Sequence, residues 1–252
     1  MNDKQSKKDR QPSPVVATTG QLFMIPSIIA PDTAEQVLPP QVLTALSQVE
    51  YFLAEDLRTA RRFISALTLG RPINQLHFDL LNKRTSPQEL TTLLAPLRQG
   101  HDVGVLSEAG CPGVADPGAL AVAYAHQHHI PVVPLVGPSS FLLALMASGF
   151  SGQSFAFHGY LPIDKGARQR TIRQIEKAAY QQQQTQIFME TPYRNNQLLQ
   201  DVIMNCRPDT LLCVAREVTG AREFIKTRSV RKWKQKTLDL HKVPTVFLLS
   251  AQ

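Results

Sequence analysis

Apolar positions fall in short blocks along this chain, separated by polar punctuation rich in Gly and Pro. In the first half the blocks are Gln21–Ile25, closed by Pro26; Val49–Ala54, ending at Glu55-Asp56; Val103–Leu106; and Pro131–Leu135. Short apolar runs bounded by turn residues predict strands buried on both faces. Segments with helical spacing lie between and after them: Gln41–Gln48, with Val42, Leu43 and Leu46 on one side, then Arg58–Ala66, Pro87–Gln99, 119–128 and 141–147. Ser86 stands as an N-cap before Pro87, and Pro96 is expected to end or kink that helix. Strands alternating with helices predict a largely parallel sheet with helices on both faces.

Gly149–Gln153 reads as a hinge, after which the alternation starts afresh. It predicts strand Phe155–Gly159, a basic helix over 166–179, strand Gln186–Met189, a helix over 194–204, strand Leu211–Ala215, a charged stretch and strand Thr245–Leu249. Gln181–Gln184 reads as a solvated loop. The chain is therefore expected to be α/β throughout. Residues 1–19 form a disordered polar tail, 20–137 an N-terminal α/β domain and 138–252 a C-terminal α/β domain. A cleft between two such domains is a common place for a small-molecule site.

The composition supports this reading. The chain has 252 residues, 43% hydrophobic and 19% charged, enough to bury a substantial core. No uninterrupted apolar run reaches the roughly 18 residues that a membrane span needs. The polar start, MNDKQSKKDRQPSP, lacks the apolar stretch of a signal peptide. Cys111, Cys206 and Cys213 are scattered, which argues against a disulfide framework or a zinc site and suits a reducing cytoplasm. His126, His128 and His129 lie near a helix end without acidic or thiol partners, so no metal is expected. The formal net charge of +7 is compatible with a polyanionic partner, because counterion release favours basic surfaces on nucleic acid.

The stretch 103–118, VGVLSEAGCPGVADPG, runs from an apolar strand through a loop of glycines and prolines into an apolar helix. Glycine permits close backbone approach to a ligand, and proline stiffens the loop. Open α/β sheets bind ligands at such strand ends. Neither a GxGxxG nor a GxxxxGK[ST] pattern accompanies it, which argues against a plain nucleotide-binding module.

Six motifs follow one another in order: LFMIPSIIAP at 22–31, FLAEDLRTARRF at 52–63, VLSEAGCPGVADPG at 105–118, VVPLVGPSS at 132–140, FMETPYR at 188–194 and VAREVTG at 214–220. Together they resemble the tetrapyrrole methylase superfamily of S-adenosylmethionine-dependent methyltransferases, and most closely its branch that 2'-O-methylates small-subunit ribosomal RNA. The resemblance implies two α/β domains with the cofactor S-adenosylmethionine in the cleft between them, and a homodimer. It assigns cofactor contacts to Pro26, Ile28 and Ile29 in a first loop, Cys111, Pro112 and Gly113 in a second, and Ser139 and Ser140 in a third. Met189, Ala215, Pro244 and Thr245 are the corresponding positions in the second domain. The sequence departs from the branch in its first loop, which lacks the usual glycine and asparagine. Glu108 stands where aspartate is usual, and Cys111 where threonine is.

Methyl transfer to a ribose hydroxyl needs a proton acceptor, and Glu108 and Glu55 are the candidates. Either acid also has a structural reading, as a loop or helix-start carboxylate. Glu55 and Asp56 precede Arg58, Arg61 and Arg62, which read either as a substrate-touching cluster or as exposed surface charge. Arg58, Arg62, Glu190, Arg194, Arg216, Lys232 and Lys234 are the candidate contacts to ribosomal RNA or the small ribosomal subunit. Residues 222–242 hold a run of Arg and Lys around the sole tryptophan, Trp233. Basic residues with an interleaved aromatic suit phosphate contact and base stacking; a solvated face with Trp233 in the core is the other reading. The expected function is thus RNA methylation, with two rivals. One is methylation of a tetrapyrrole or other small molecule; the other is cofactor or RNA binding without turnover.

Overall fold

A computed structural model describes residues 19–251; the tail expected over 1–19 lies, apart from Thr19, outside them. The first half contains strands β1 (Leu22–Ile25), β2 (Tyr51–Ala54), β3 (His77–Leu80), β4 (Val103–Leu106) and β5 (Val132–Pro134). They form one parallel sheet in the order β3-β2-β4-β1-β5. The helices are α1 (Ala34–Val37), α2 (Pro40–Gln48), α3 (Leu57–Ala66), α4 (Pro87–Leu93), α5 (Ala95–Arg98) and α6 (Gly118–Gln127).

The two-residue period of a strand divides this sheet's side chains between two cores. Ile25, Phe52, Ala54, Phe78 and Leu106 face one side and pack with Val42, Leu46, Ala60 and Ile64 of α2 and α3. Leu22, Met24, Leu53, Val103 and Val105 face the other, with Leu97 of α5 and Ala121, Tyr124 and Ala125 of α6. The expected helices on both faces follow. Ser86 closes a full capping box with Glu89, and the run after it breaks at Leu94 into α4 and α5, as Pro96 foretold.

The second half contains β6 (Phe155–Tyr160), β7 (Thr185–Met189), β8 (Leu211–Arg216), β9 (Phe224–Ser229) and β10 (Thr245–Ser250), with α7 (Ser140–Ser148), α8 (Lys165–Gln182), α9 (Asn195–Asn205) and α10 (Val230–Lys234). Their order is β6-β7-β10-β8-β9. Here the parallel arrangement of the first sheet is kept only in the first pair. β6 and β7 are parallel, whereas β7-β10, β10-β8 and β8-β9 are antiparallel. The link from β8 to β9 is too short for the dozen or more residues of a parallel crossover, so the chain turns back as a hairpin. β9 lies inside the stretch read as merely charged. It is an edge strand with Lys226 and Arg228 pointing from it, and charged edge strands hide the apolar pattern. Gln181 and Gln182 belong to α8, which ends at Gln183 in the left-handed conformation (φ 51°) rather than dissolving into a loop.

One face of this sheet packs α8, α9 and α10 through Ile172, Leu198, Val202 and Trp233. The other packs Ala144 and Leu145 of α7. Trp233 is 1% exposed, and its Nε1 donates to the Leu212 carbonyl at 2.8 Å. This corrects its reading as a base-stacking aromatic. Arg168, within the stretch expected to form a basic helix, is buried too. Its guanidinium donates to Asp201 Oδ2 through Nε (2.8 Å) and Nη2 (2.6 Å), joining α8 to α9. Among the described residues no helix is long and apolar enough to cross a membrane.

Removing one partner of a buried ion pair strands the other charge, at about 3–5 kcal/mol. Asp201→Asn is therefore expected to lower unfolding stability by about 3 kcal/mol in a denaturant titration. A loss below about 1 kcal/mol would show that the pair does not brace the domain.

Candidate functional site: a cleft where two sheets meet

In the first sheet β1 and β4 are neighbours, but their chains leave in opposite directions. After β1 the chain crosses to β2 over one face; after β4 it crosses to β5 over the other. The crevice outside the carboxyl ends at such a switch point is where doubly wound sheets take ligands. Three loops meet there. Ser27 N donates to the Gly110 carbonyl at 3.0 Å, and Ser27 Oγ to the Ser107 carbonyl at 3.0 Å, binding the first loop to the second. Cys111 Sγ donates to the carbonyl of Pro138 (3.4 Å), binding the second to the third. Gly137 lies so close to Pro26 that a Cβ would stand 2.3 Å from the proline ring.

The second loop is shaped by its own residues. Asp116 Oδ1 accepts from Gly113 N (2.7 Å) and Gly118 N (2.8 Å), and Gly110 and Gly113 adopt φ of 80° and 83°. Burial, with Asp116 adding to it, pushes the Cys111 thiol up. Cys111 is a loop tie rather than a nucleophile.

Against this corner sits the end of the second sheet at which β7 and β8 finish and β10 begins. The cavity between them is about 320 Å³, at the small end of the range for ligand sites. The motif-assigned Ile29, Ser140, Met189, Ala215, Pro244 and Thr245 all line it. Pro26, Ile28, Cys111, Pro112, Gly113 and Ser139 do not; they lie in the tied loops behind its wall. Ile28 and Ile29 also line a larger neighbouring groove of about 630 Å³, with Arg62 and Phe63 of α3.

The acids gather at the cleft. Glu55, Glu108 and Glu190 line it together with Tyr160. Burial, then the charges of Glu55 and Asp56, raise the Glu108 carboxyl above its usual range. Burial also raises the Tyr160 phenol, and Glu108, Glu55 and Glu190 reinforce the shift. Asp56 is taken up structurally. It caps α3 by accepting from Thr59 N at 2.6 Å, and its hydrogen bonds with Thr59 hold its carboxyl below the ordinary range. Glu190 is almost fully buried and takes hydrogen bonds on Oε1 from Arg194 Nη2 (2.5 Å) and Thr191 N (2.7 Å). Sequence reasoning singled out neither Tyr160 nor the packing of Gly137 on Pro26. The first looked like the end of an ordinary strand, and the second is a contact between residues far apart in the chain.

The basic candidates divide. Arg58 and Arg62 are exposed on α3 beside the groove, while Arg61 lies over the Phe78 ring at 5.1 Å. Arg194 is at the cleft end of the second sheet, and Arg216 stacks on Phe224 at 5.4 Å. Lys232 and Lys234 are not brought there. Phe224 of β9 pairs with Arg216 at the cleft end of β8, whereas Ser229, just before α10, pairs with Leu211 at the far end. At about 3.3 Å per strand residue, α10 starts roughly 17 Å from the cleft. The linear basic run is thus split between opposite ends of one sheet.

Among the described residues no group of His, Cys, Asp and Glu is arranged to hold a metal ion. The model for the family Tetrapyrrole (Corrin/Porphyrin) Methylases matches residues 32–232. Proteins named ribosomal RNA small subunit methyltransferase I are similar to this chain. That of Vibrio cholerae is 32% identical over 74% of this chain and 60% of its own length. That of Escherichia coli O157:H7 is 30% identical over 82% and 68%, and that of Thermotoga maritima 32% over 74% and 79%. The chain therefore spans less than two thirds of the Vibrio protein. Among solved structures, the methyltransferase CobJ superposes with a TM-score of 0.63 at 19% identity, covering 92% of this chain and 94% of that one. Uroporphyrin-III C-methyltransferase from Thermus thermophilus, complexed with S-adenosyl homocysteine, does so at 0.56 and 16%, covering 92% and 97%. These two share the fold. With the family model matching most of its length, the chain belongs to the tetrapyrrole (corrin/porphyrin) methylases, as a divergent member related to the proteins named ribosomal RNA small subunit methyltransferase I.

Proposed function

We propose that this chain is an S-adenosylmethionine-dependent methyltransferase whose acceptor is a ribose 2'-hydroxyl of small-subunit ribosomal RNA. The observation that carries the reading is the cleft, where Ile29, Ser140, Met189, Ala215, Pro244 and Thr245 come together from both halves of the chain. Short polar and apolar side chains with backbone groups at these positions, beside Ile29 and Met189, fit a flexible cofactor held by its edges, and the names of the bacterial relatives support an RNA acceptor. When bound, S-adenosylmethionine supplies a methyl group activated on a sulfonium. The chain's part is to position the acceptor and dispose of its proton, and alignment alone contributes about 7–11 kcal/mol at the extreme. Pro26, Ile28, Cys111, Pro112, Gly113 and Ser139 act through the loop ties that set the shape of the wall. Arg58 and Arg62, with Arg194 and Arg216 at the opposite rim, meet the phosphates.

Glu108 is the base in this reading, with Glu55 beside it raising its proton affinity. A base must be ionised. A carboxyl whose pKa is raised keeps its proton to higher pH than an ordinary one, so activity rises with pH through the raised value and levels off above it.

The same reading makes the protein a cytoplasmic homodimer. Leu142 and Met146, one helical turn apart on α7, are exposed, and an apolar patch of this kind fits a twofold contact.

Incubation with methyl-labelled cofactor and small ribosomal subunits lacking the modification is expected to label ribosomal RNA, and label confined to small molecules would refute an RNA acceptor. In that assay Arg58→Glu with Arg62→Glu is expected to lower transfer about tenfold and to flatten its salt dependence, since each lost phosphate contact reduces the slope; Lys232→Glu with Lys234→Glu should change it far less. The pH profile is expected to show an acid limb above the usual carboxylate range. Glu108→Gln should abolish that limb and slow turnover by roughly 10²–10⁴, and an unchanged limb would remove Glu108 from the role. Sedimentation of the purified chain should give twice its 28.0 kDa mass, reverting to the monomer in Met146→Glu. A monomeric wild type would end the dimer reading.

A further inference from the structure

The protein is basic, but its cleft is acidic. The formal net charge is +7, yet Glu55, Glu108, Asp116 and Glu190 are the charged residues lining the cavity, and neither lysine nor arginine is among its walls. Asp116 is engaged through Oδ1 in shaping its loop. Glu190 supplies an independent sign that a ligand belongs here. Its side chain is 1% exposed, and while Oε1 is held by Arg194 and Thr191, Oε2 has no hydrogen-bond partner among the described residues. A buried carboxylate oxygen left unpaired is costly and calls for a compensating group. No metal-holding arrangement is present among the described residues, and the apolar lining by Ile29, Met189, Val218 and Pro244 suits an organic cation of diffuse charge.

We propose that Glu55 and Glu108 select the cofactor by its charge, favouring the sulfonium of S-adenosylmethionine over the neutral thioether S-adenosylhomocysteine. The inference rests on the cofactor reading above and deepens it. Carboxylates around a small space of low polarisability attract a positive sulfur, and this attraction is absent for the uncharged thioether. Burial raises the Glu108 carboxyl and the Tyr160 phenol, and the neighbouring acids add to both shifts; a cation among them relieves that added repulsion, and the neutral thioether does not. The same field repels phosphate. RNA is thereby kept on the arginine-bearing rim, with the acceptor sugar at the mouth of the cleft.

Calorimetric titration of the full chain with each of the two ligands, at low and high salt, tests this. Wild type is expected to bind S-adenosylmethionine the more tightly. The Glu55→Gln/Glu108→Gln protein should lose about five- to tenfold for the sulfonium and less than about twofold for the thioether, as expected for removing charge rather than contact. Equal losses for both ligands, or an unaltered affinity ratio, would overturn the inference while leaving the cofactor reading standing. Binding of neither ligand to wild type would overturn both. If the double variant does not fold, Glu108→Gln alone is expected to shift the ratio in the same direction, and no shift overturns the inference equally.

Discussion

Everything at the cleft depends on three backbone loops approaching more closely than ordinary side chains permit. Gly137 is pressed on the Pro26 ring, and Gly110 stands within 3.1 Å of the Pro138 carbonyl measured from where its Cβ would be. Ser27, Cys111 and Asp116 then spend their polar groups on neighbouring backbone rather than on a ligand. The result is a rigid corner at the β1–β4 switch point. Rigidity of this kind suits the proposed methyl transfer, a reaction in which alignment would be the protein's main contribution.

The second constraint is electrostatic. Positive charge is carried on α3, α10 and the rims of the second sheet, while the cleft itself gathers carboxylates. Charge of one sign around a cavity, with low-dielectric walls, focuses its field there. A basic exterior and an acidic interior can thus serve different partners at one place, and the average charge of the chain describes neither.

Much of the first sheet was legible in the residues. Its strands are short, apolar on both faces and bounded by Pro26, Glu55 and Ser107, and a parallel sheet buried on both faces leaves that pattern. β3 escaped because it is an edge strand with His77 and Asp79 turned outward. β9 and α10 escaped for the same reason in stronger form, since their charged faces dominate the linear pattern while Val230 and Trp233 are buried beneath. The basic run around Trp233 looked like a nucleic-acid surface only because neighbours in sequence were taken as neighbours in space.

The residues alone determined which loops exist, how their glycines and prolines shape them, and to which family they belong, because those depend on local backbone freedom and on motif order. The tertiary structure decided what each candidate faces. It sent Asp56 to cap a helix and Cys111 to tie two loops, put Trp233 in the core and carried Lys232 and Lys234 to the far end of their sheet. It gathered Glu55, Glu108, Tyr160 and Glu190, the first and last of them more than half the chain apart, around one cavity. Such groupings follow from strand order and register, which are set by the packing of whole sheets and leave no mark in any short stretch of sequence.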